Sequence, residues 1–340
     1  MDPEPRQPYP LYNTTFTLHR LSPLYIGSDA ALNNANLQQH ARSFRDILVG
    51  EVLRGVRVGL GSDEETLARV GALQSVMWRI LPNEDVWDTE EDIGEETTLM
   101  ALASRGILIN IDYEKASYSA ILLRGGRQTD EDFGKEARTG EFEDFPLLLT
   151  RMPGALRDSL TAFLASTFDT RVSILHLKKS YMITALEQYI LDCSVQEGEE
   201  ASEVEQSNRA LRTFIKDIQI VIGFDSSSGL KTIDILINKE DLPRLLRFGK
   251  SDSSKDASHS PFMVAITNYV NAHLALDLGH ELVKILKIAC GAFVLGSEGK
   301  IKITEFTDGD DSIQGQAILN LINSLVDLAR GRNIGKGNHG

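Results

Sequence analysis

The stretch IQIVIGFDSSSGLKTIDILI, residues 218–237, decides the fold class of this 340-residue chain. Isoleucine occupies every second position on both sides of the segment DSSSG: Ile218, Ile220, Ile222, Ile233, Ile235 and Ile237. Side chains at every second position of a strand lie on one face, and Asp, Ser and Gly favour turns. The stretch therefore predicts a β-hairpin of an antiparallel sheet, with one face buried and the other exposed.

Two further stretches repeat this pattern. Apolar residues alternate in residues 107–122 around a turn near Glu114 and Lys115, and again in CGAFVLGSEGKIKI, residues 290–303. Shorter strands are predicted at residues 16–21, 54–60, 75–81 and 170–179. The chain is therefore expected to be rich in antiparallel strands.

Helices are predicted between these hairpins. Residues 29–53 are helix-like, and three apolar stripes with a spacing of three or four begin at Leu156, Met182 and Ile318. The order of elements predicts an α+β fold, in which helices pack against antiparallel sheets and hairpins. We expect a two-part architecture: an N-terminal α/β domain at residues 1–145 and a C-terminal α+β domain at residues 146–340. The second domain would carry the third hairpin and the C-terminal helix.

The formal charge of −14 is concentrated in three stretches, residues 84–96, 128–144 and 195–206. Without them 33 basic and 29 acidic residues remain, a net charge of +4. Because these stretches lack apolar periodicity, they are predicted to be solvated, disordered loops. The acidic loop at residues 128–144 is predicted to be the domain boundary, and the segment GKSDSSKDASHS, residues 249–260, a second flexible linker.

Composition restricts the class of protein. Two cysteines, Cys193 and Cys290, form no CxxC pair, which favours a reducing compartment over a disulfide scaffold. The first residues, MDPEPRQPYPLY, lack the basic start and apolar run of a signal peptide, and no stretch is apolar enough to span a membrane. We expect a soluble intracellular protein without a membrane partner.

The motifs of common enzymes are missing from the sequence. It contains no GxSxG nucleophile elbow and no GxxxxGK[ST] phosphate loop, and its seven histidines are scattered. His280-Glu281 begins like a zinc-protease helix but lacks the second histidine, and Cys290 is expected to be a small core residue. We predict no catalytic, metal or cofactor site and therefore no enzyme.

Several segments resemble one known family. They are LYNTTFTLHRLSPLY (residues 11–25), RGVRVGL (54–60), the region around Trp78 and Pro82, YEKASYSAILLR (113–124), LTAFLASTFDTRVSIL (160–175) and CGAFVLGSEGKIKI (290–303). Together they resemble the centromere protein L family in its fungal form, across nearly the whole chain. The acidic stretches 84–96 and 128–144 do not match the family pattern.

This resemblance implies a structural role in the nucleus. Members belong to the constitutive centromere-associated network of the inner kinetochore, and the family is not known for catalysis. The resemblance implies a tight heterodimer with a centromere protein N-type subunit through the C-terminal half. It also implies contact with other inner-kinetochore subunits and, through the complex, with the centromeric nucleosome and its DNA during chromosome segregation. Two alternatives remain: a DNA-binding or recombination-type protein acting alone, and an enzyme of unfamiliar type.

Two sets of residues are predicted to carry these contacts. The third hairpin is a candidate edge for pairing with the partner chain, through Phe293, Leu295, Ile301, Ile303 and Phe306. Basic residues are enriched between 171 and 250, and five of them are predicted to face phosphates without reading sequence: Lys178, Lys179, Lys231, Arg244 and Arg247.

Overall fold

The computed structural model describes residues 8–27, 33–53, 70–87, 104–125, 141–194, 215–224, 229–252, 261–305 and 311–331. The chain divides into two compact units. The first consists of Met1–Pro10, Phe16–Leu175 and Leu325–Gly340, and the second of Leu11–Thr15 and His176–Ser324. The strand predicted at residues 54–60 lies outside the described residues.

The first unit contains an antiparallel sheet. Its strands and the short ribbon beside it are β1 (Thr15–Leu21), β2 (Leu24–Tyr25), β3 (Leu73–Leu81), β4 (Gly106–Tyr113), β5 (Ser117–Leu123), β6 (Phe142–Glu143), β7 (Leu147–Arg151) and β8 (Val172–Ile174). Strands β3, β4, β5, β7 and β1 are neighbours in that order, β8 also pairs with β1, and β2 pairs with β6. The predicted hairpin is confirmed in β4 and β5, where Ile109 lies opposite Ala120.

Two helices cover one face of this sheet, α1 (Asn34–Leu53) and α3 (Gly154–Phe168). The single turn α2 (Glu84–Trp87) lies between them in the chain. Phe44 of α1 and Phe163 of α3 lie in one core with Trp78 of β3 and Ile109 of β4. The apolar stripe predicted from Leu156 is therefore confirmed as the buried side of α3.

The expectation of one exposed face is wrong for the middle of this sheet. Residues 120–123 of β5 and 147–150 of β7 are buried at every position. Their sequences, AILL and LLLT, place apolar or small side chains on both faces, so both faces are removed from water.

The second unit contains five antiparallel strands. Its strands are β9 (Ile218–Gly223), β10 (Thr232–Ile237), β11 (Lys284–Ala289), β12 (Phe293–Gly296) and β13 (Lys300–Ile303). Within this unit the order is β10, β9, β11, β12, β13. The hairpin of residues 218–237 is confirmed, with Ile220 opposite Ile235, and the third hairpin is confirmed as β12 and β13.

The helices of the second unit are α4 (Lys179–Ser194), α5 (Leu242–Asp252), α6 (Pro261–Leu274) and α7 (Asp311–Arg330), the last continuing into the first unit from Leu325 onward. The Tyr189 ring of α4 meets Phe293 of β12 edge-on, with ring centroids 5.2 Å apart. The hydroxyl groups of Tyr181 and Ser324 are 2.8 Å apart and join α4 to α7. The helices thus pack against the apolar side of the sheet, and the predicted α+β class is confirmed.

Other predicted boundaries differ from the structure. Residues 146–175 were assigned to the second domain, but β7 and β8 pair with strands of the first unit, and α3 packs in its core. The strand predicted at 170–179 is only the three residues of β8, and α4 begins at Lys179. Separate folding of two domains stays a prediction.

The predicted acidic loops and the linker are mostly outside the described residues, and residues 195–206 entirely so. Within the described part, residues 84–87 form α2, and Phe142 and Glu143 form β6. Asp144 accepts hydrogen bonds from Arg330, at 3.0 Å from Nε. Helix α5 extends to Asp252 in the predicted linker. The ends of these stretches are therefore structured.

Candidate functional site

The predicted partner residues of the third hairpin lie inside their own unit. Phe293, Leu295, Ile301 and Ile303 are each no more than 2% exposed. Phe306 lies outside the described residues. Since the four isoleucine, leucine and phenylalanine side chains fill the core of this chain, their contact with a partner stays a prediction.

Both strands of this hairpin already have neighbours. Strand β12 lies between β11 and β13. On the other side of β13, Tyr12 forms a parallel bridge with Ile303, and the Asn13 amide donates to the Ile303 carbonyl at 2.7 Å. The Asn13 side chain also accepts from the Glu305 amide at 3.2 Å. The backbone of this hairpin is therefore largely occupied within the second unit.

Strand β10 is at one end of the described strand order in this unit. Among the described residues, it pairs with β9 alone. On the core side, Ile220 and Ile222 of β9 are buried, whereas Ile233 and Ile235 of β10 are only half-buried. On the opposite face Leu236 is 66% exposed. The apolar layer of the sheet thus reaches its edge without a cover from the described residues.

A row of polar side chains crosses the open face of this sheet. Lys287 Nζ of β11 donates to Gln219 Oε1 of β9 at 3.0 Å, and Gln219 Nε2 donates to Asp234 Oδ2 of β10 at 3.1 Å. Leu286 lies over Gly223, where an added Cβ would come within 2.5 Å of a leucine methyl group. The open face therefore combines fixed polar groups with apolar surface.

Four of the predicted phosphate contacts are at the surface. Lys178, Lys231, Arg244 and Arg247 are all exposed. Arg247 Nε donates to the Pro243 carbonyl at 3.4 Å, one turn earlier on α5. Within the described part of the chain, no carboxylate forms an ion pair with any of these four side chains. Their positions are compatible with binding an anion.

Lys179 differs from Lys178. Its ammonium group donates to the backbone carbonyls of Leu278 and Val283, the second at 3.1 Å. Burial lowers the pKa of Lys179, and the nearby Asp277 carboxylate partly opposes this. Because its amine holds the loop before β11, Lys179 has a structural role in the second unit.

The two cysteines lack the properties of nucleophiles. Burial raises the pKa of Cys193 to about 12 and that of Cys290 to about 11. Since the thiolate is the reactive form, both thiols are inert near neutral pH. Cys290 is a buried core residue, as predicted. Among the described residues, no group of His, Cys, Asp and Glu has the arrangement of a metal site, and no helix is long and apolar enough to cross a membrane.

Comparison with protein families identifies the chain. The family model for centromere protein L matches residues 10–330, which is nearly the whole sequence. The chain belongs to the centromere protein L family. The family consists of structural kinetochore proteins, so the chain is a protein of the centromere and kinetochore. No individually curated protein matches it.

The match extends over both units and includes every segment that carries the resemblance. Only the two ends of the chain lie outside it. The position of the open edge was not predicted from the sequence. The available signal was TIDILI, residues 232–237, in which Leu236 breaks an otherwise alternating pattern and places an apolar side chain on the polar face.

Proposed function

We propose that this centromere protein L family member is a structural subunit of the inner kinetochore that works in the nucleus. In this proposal it forms a heterodimer with a centromere protein N-type subunit and helps to hold centromeric DNA beside the nucleosome. It would thereby connect the centromere with the other inner-kinetochore subunits. The family match supports the kinetochore role, and strand β10 supports the partner.

Strand β10 offers a partner both backbone and apolar surface. An end strand has a row of amide and carbonyl groups directed away from its single neighbour, and another chain can pair with them. Ile233 and Ile235 are only half-buried at the margin of the core, and Leu236 is exposed on the other face. A strand added beside β10 would cover all three side chains. This edge, which none of the described residues covers, is the observation on which the heterodimer proposal depends.

The hairpin β12–β13 has a supporting role in this arrangement. Phe293 of β12 and Ile301 of β13 lie three and four strands from β10 and pack the core, so they fix the sheet that presents β10. Ile301→Asp would place a carboxylate in that core and is expected to unfold the second unit together with loss of the partner. Loss of the partner with an intact fold would instead favour the hairpin as the interface.

Hydrogen exchange of the chain, alone and with the N-type subunit, tests the position of the interface without any substitution. Within residues 232–237, we expect the amides that point away from β9 to exchange more slowly in the complex, because strand addition gives them hydrogen-bond partners. Leu236→Asp should weaken the complex while circular dichroism stays unchanged. Protection confined to residues 293–303, or none in this unit, would contradict a partner on β10.

The DNA part of the proposal is supported by the four exposed cations. Lys178, Lys231, Arg244 and Arg247 have no carboxylate partner in the described chain, and cations of this kind position a duplex through its phosphates. The net charge of −14 opposes binding by the isolated chain. We therefore expect DNA binding by the heterodimer. Tight binding by the isolated chain would favour the alternative of a DNA-binding protein that acts alone.

A salt titration of complex–DNA affinity tests these contacts. Arg244→Ala/Arg247→Ala should lower the slope of log K against log salt by about two, since each phosphate contact contributes roughly 0.9. The exposed pair Arg42→Ala/Arg45→Ala on α1 removes the same charge from the first unit and is the control. Equal slopes for the two double variants and the parent would contradict phosphate contact by α5.

A further inference from the structure

The polar row on the open face of the second unit ends at the sheet edge. It runs from Lys287 through Gln219 to Asp234, across β11, β9 and β10. A lysine ammonium only donates, so it selects the oxygen of the Gln219 amide and turns the NH₂ group toward Asp234. Lys287 thus fixes the Gln219 amide, and the Gln219 amide in turn fixes the direction of the Asp234 carboxylate.

Among the described residues, no opposite charge is paired with Asp234. It is exposed, and no lysine, arginine or histidine of the described residues lies within ion-pair distance of it. Gln219 satisfies one carboxylate oxygen with a neutral amide. An oriented carboxylate on an end strand is therefore available for a cation from outside the chain.

The side chains around Asp234 indicate which kind of molecule would carry such a cation. Val221 lies opposite Asp234 on β9 and is half-buried, and Leu236 is the next residue of β10 on the same face. On the other face, Ile233 and Ile235 flank Asp234 in sequence and are half-buried. Strand β10 thus presents apolar side chains on both faces, and Asp234 is its one charged residue, which fits a protein strand better than a polyanion or a free cation.

We propose that Asp234 determines specificity for a partner strand that carries a lysine or arginine facing Asp234 and an apolar residue facing Leu236. This inference rests on the proposed strand addition at β10. Side chains directly opposite on neighbouring strands are about 5 Å apart, close enough for an ion pair. Because a slip of one residue moves each side chain to the other face, this charge pair would also fix the register of the added strand.

The test is the affinity for the N-type subunit over a range of salt concentrations. Asp234→Asn keeps the shape of the side chain and its bond from Gln219 but removes the charge. We expect Kd to rise about tenfold at low ionic strength and to depend less on salt, as found when one member of an interfacial ion pair is removed. Asp241→Asn, an exposed aspartate outside the sheet, makes the same change in net charge and should leave Kd unchanged.

Other results separate this inference from the proposed function. An unchanged Kd and salt dependence for Asp234→Asn, with slower exchange of residues 232–237 in the complex, would overturn the role of Asp234 and leave the partner on β10. Parental affinity of both Asp234→Asn and Leu236→Asp, without that protection, would overturn both. Increased self-association of Asp234→Asn in sedimentation, with unchanged heterodimer affinity, would overturn the inference. It would show that Asp234 prevents β10 from pairing with a second copy of the chain.

Discussion

Strands β3 and β10 are both end strands of the described sheets within their units, yet their surroundings differ. Helix α1 packs along β3, and Gln38 Nε2 donates to the Trp78 carbonyl at 3.2 Å. Trp78 itself is 1% exposed. Among the described elements, β9 is the only one with which strand β10 makes extensive contact. Leu236 of β10 projects into solvent.

The difference indicates that the edge at β3 contributes to the stability of the fold, whereas the edge at β10 is available for binding another chain. Natural proteins cover or interrupt end strands, because an open one pairs with other chains. Strand β3 is covered by a helix and a side-chain amide. Strand β10 has six residues, no proline, no lysine and a single carboxylate. Substitutions in β3 should therefore change folding, and those in β10 should change association.

The largest expected effect is that of Trp78→Ala. The Trp78 ring packs against Phe163 and Phe168, with centroid distances of 5.8 and 6.5 Å. The cavity left in the core should lower the free energy of unfolding by about 3–5 kcal/mol. Met77→Ala, at the neighbouring position that is 43% exposed, should change it by less than about 0.5 kcal/mol. Similar denaturation midpoints for the two variants would show that β3 is not covered as described.

A smaller effect is expected when the cover of the β3 backbone is weakened. Gln38→Ala removes the hydrogen bond to the Trp78 carbonyl and should cost about 1 kcal/mol of stability. Gln39→Ala, the exposed neighbour on α1, is the control with the same change in helix propensity. Denaturant titration compares the two. A difference near zero would mean that water replaces the Gln38 amide without loss.

Acid should weaken the first unit, which contains β3. Burial, and then the nearby Arg157, lower the pKa of His19, and burial lowers the pKa of His40. The unfolded chain therefore binds protons that the folded chain excludes, so stability falls as pH drops below about 6.5, the ordinary histidine value. His19→Leu should flatten this dependence. The midpoint of thermal unfolding at several pH values between 5 and 8 measures it, and an unchanged slope in the variant would contradict the role of His19.

The smallest effect on folding is expected in β10. Leu236→Ser should change the free energy of unfolding by less than about 0.5 kcal/mol, because the side chain is already in water. Its affinity for the N-type subunit should nevertheless fall. The matched substitution is Leu295→Ser in β12, where a fully buried leucine is lost and unfolding is expected to become easier. Destabilisation of the same size at both positions would remove the contrast between the two edges.

The sequence alone predicted the elements whose pattern is local. Alternating isoleucines identified the hairpin β9–β10, and the stripe from Leu156 identified α3. Strand β11 was missed for a physical reason: a bulge between Ile285 and Lys287 breaks the alternation, so its buried residues Ile285 and Ile288 are three apart. Such a pattern looks helical in one dimension.

Strand order and the identity of the open edge were decided only by tertiary structure. Residues 290–303 and 218–237 have the same alternating pattern, but β11 pairs with β9 and β12, which places one hairpin inside the sheet and the other at its end. The pairing of β11 with β9 joins segments more than 60 residues apart along the sequence, and no local pattern encodes it. The adjacent Lys178 and Lys179 illustrate the same limit. Their side chains are chemically identical, and only the fold directs one to solvent and the other to two backbone carbonyls.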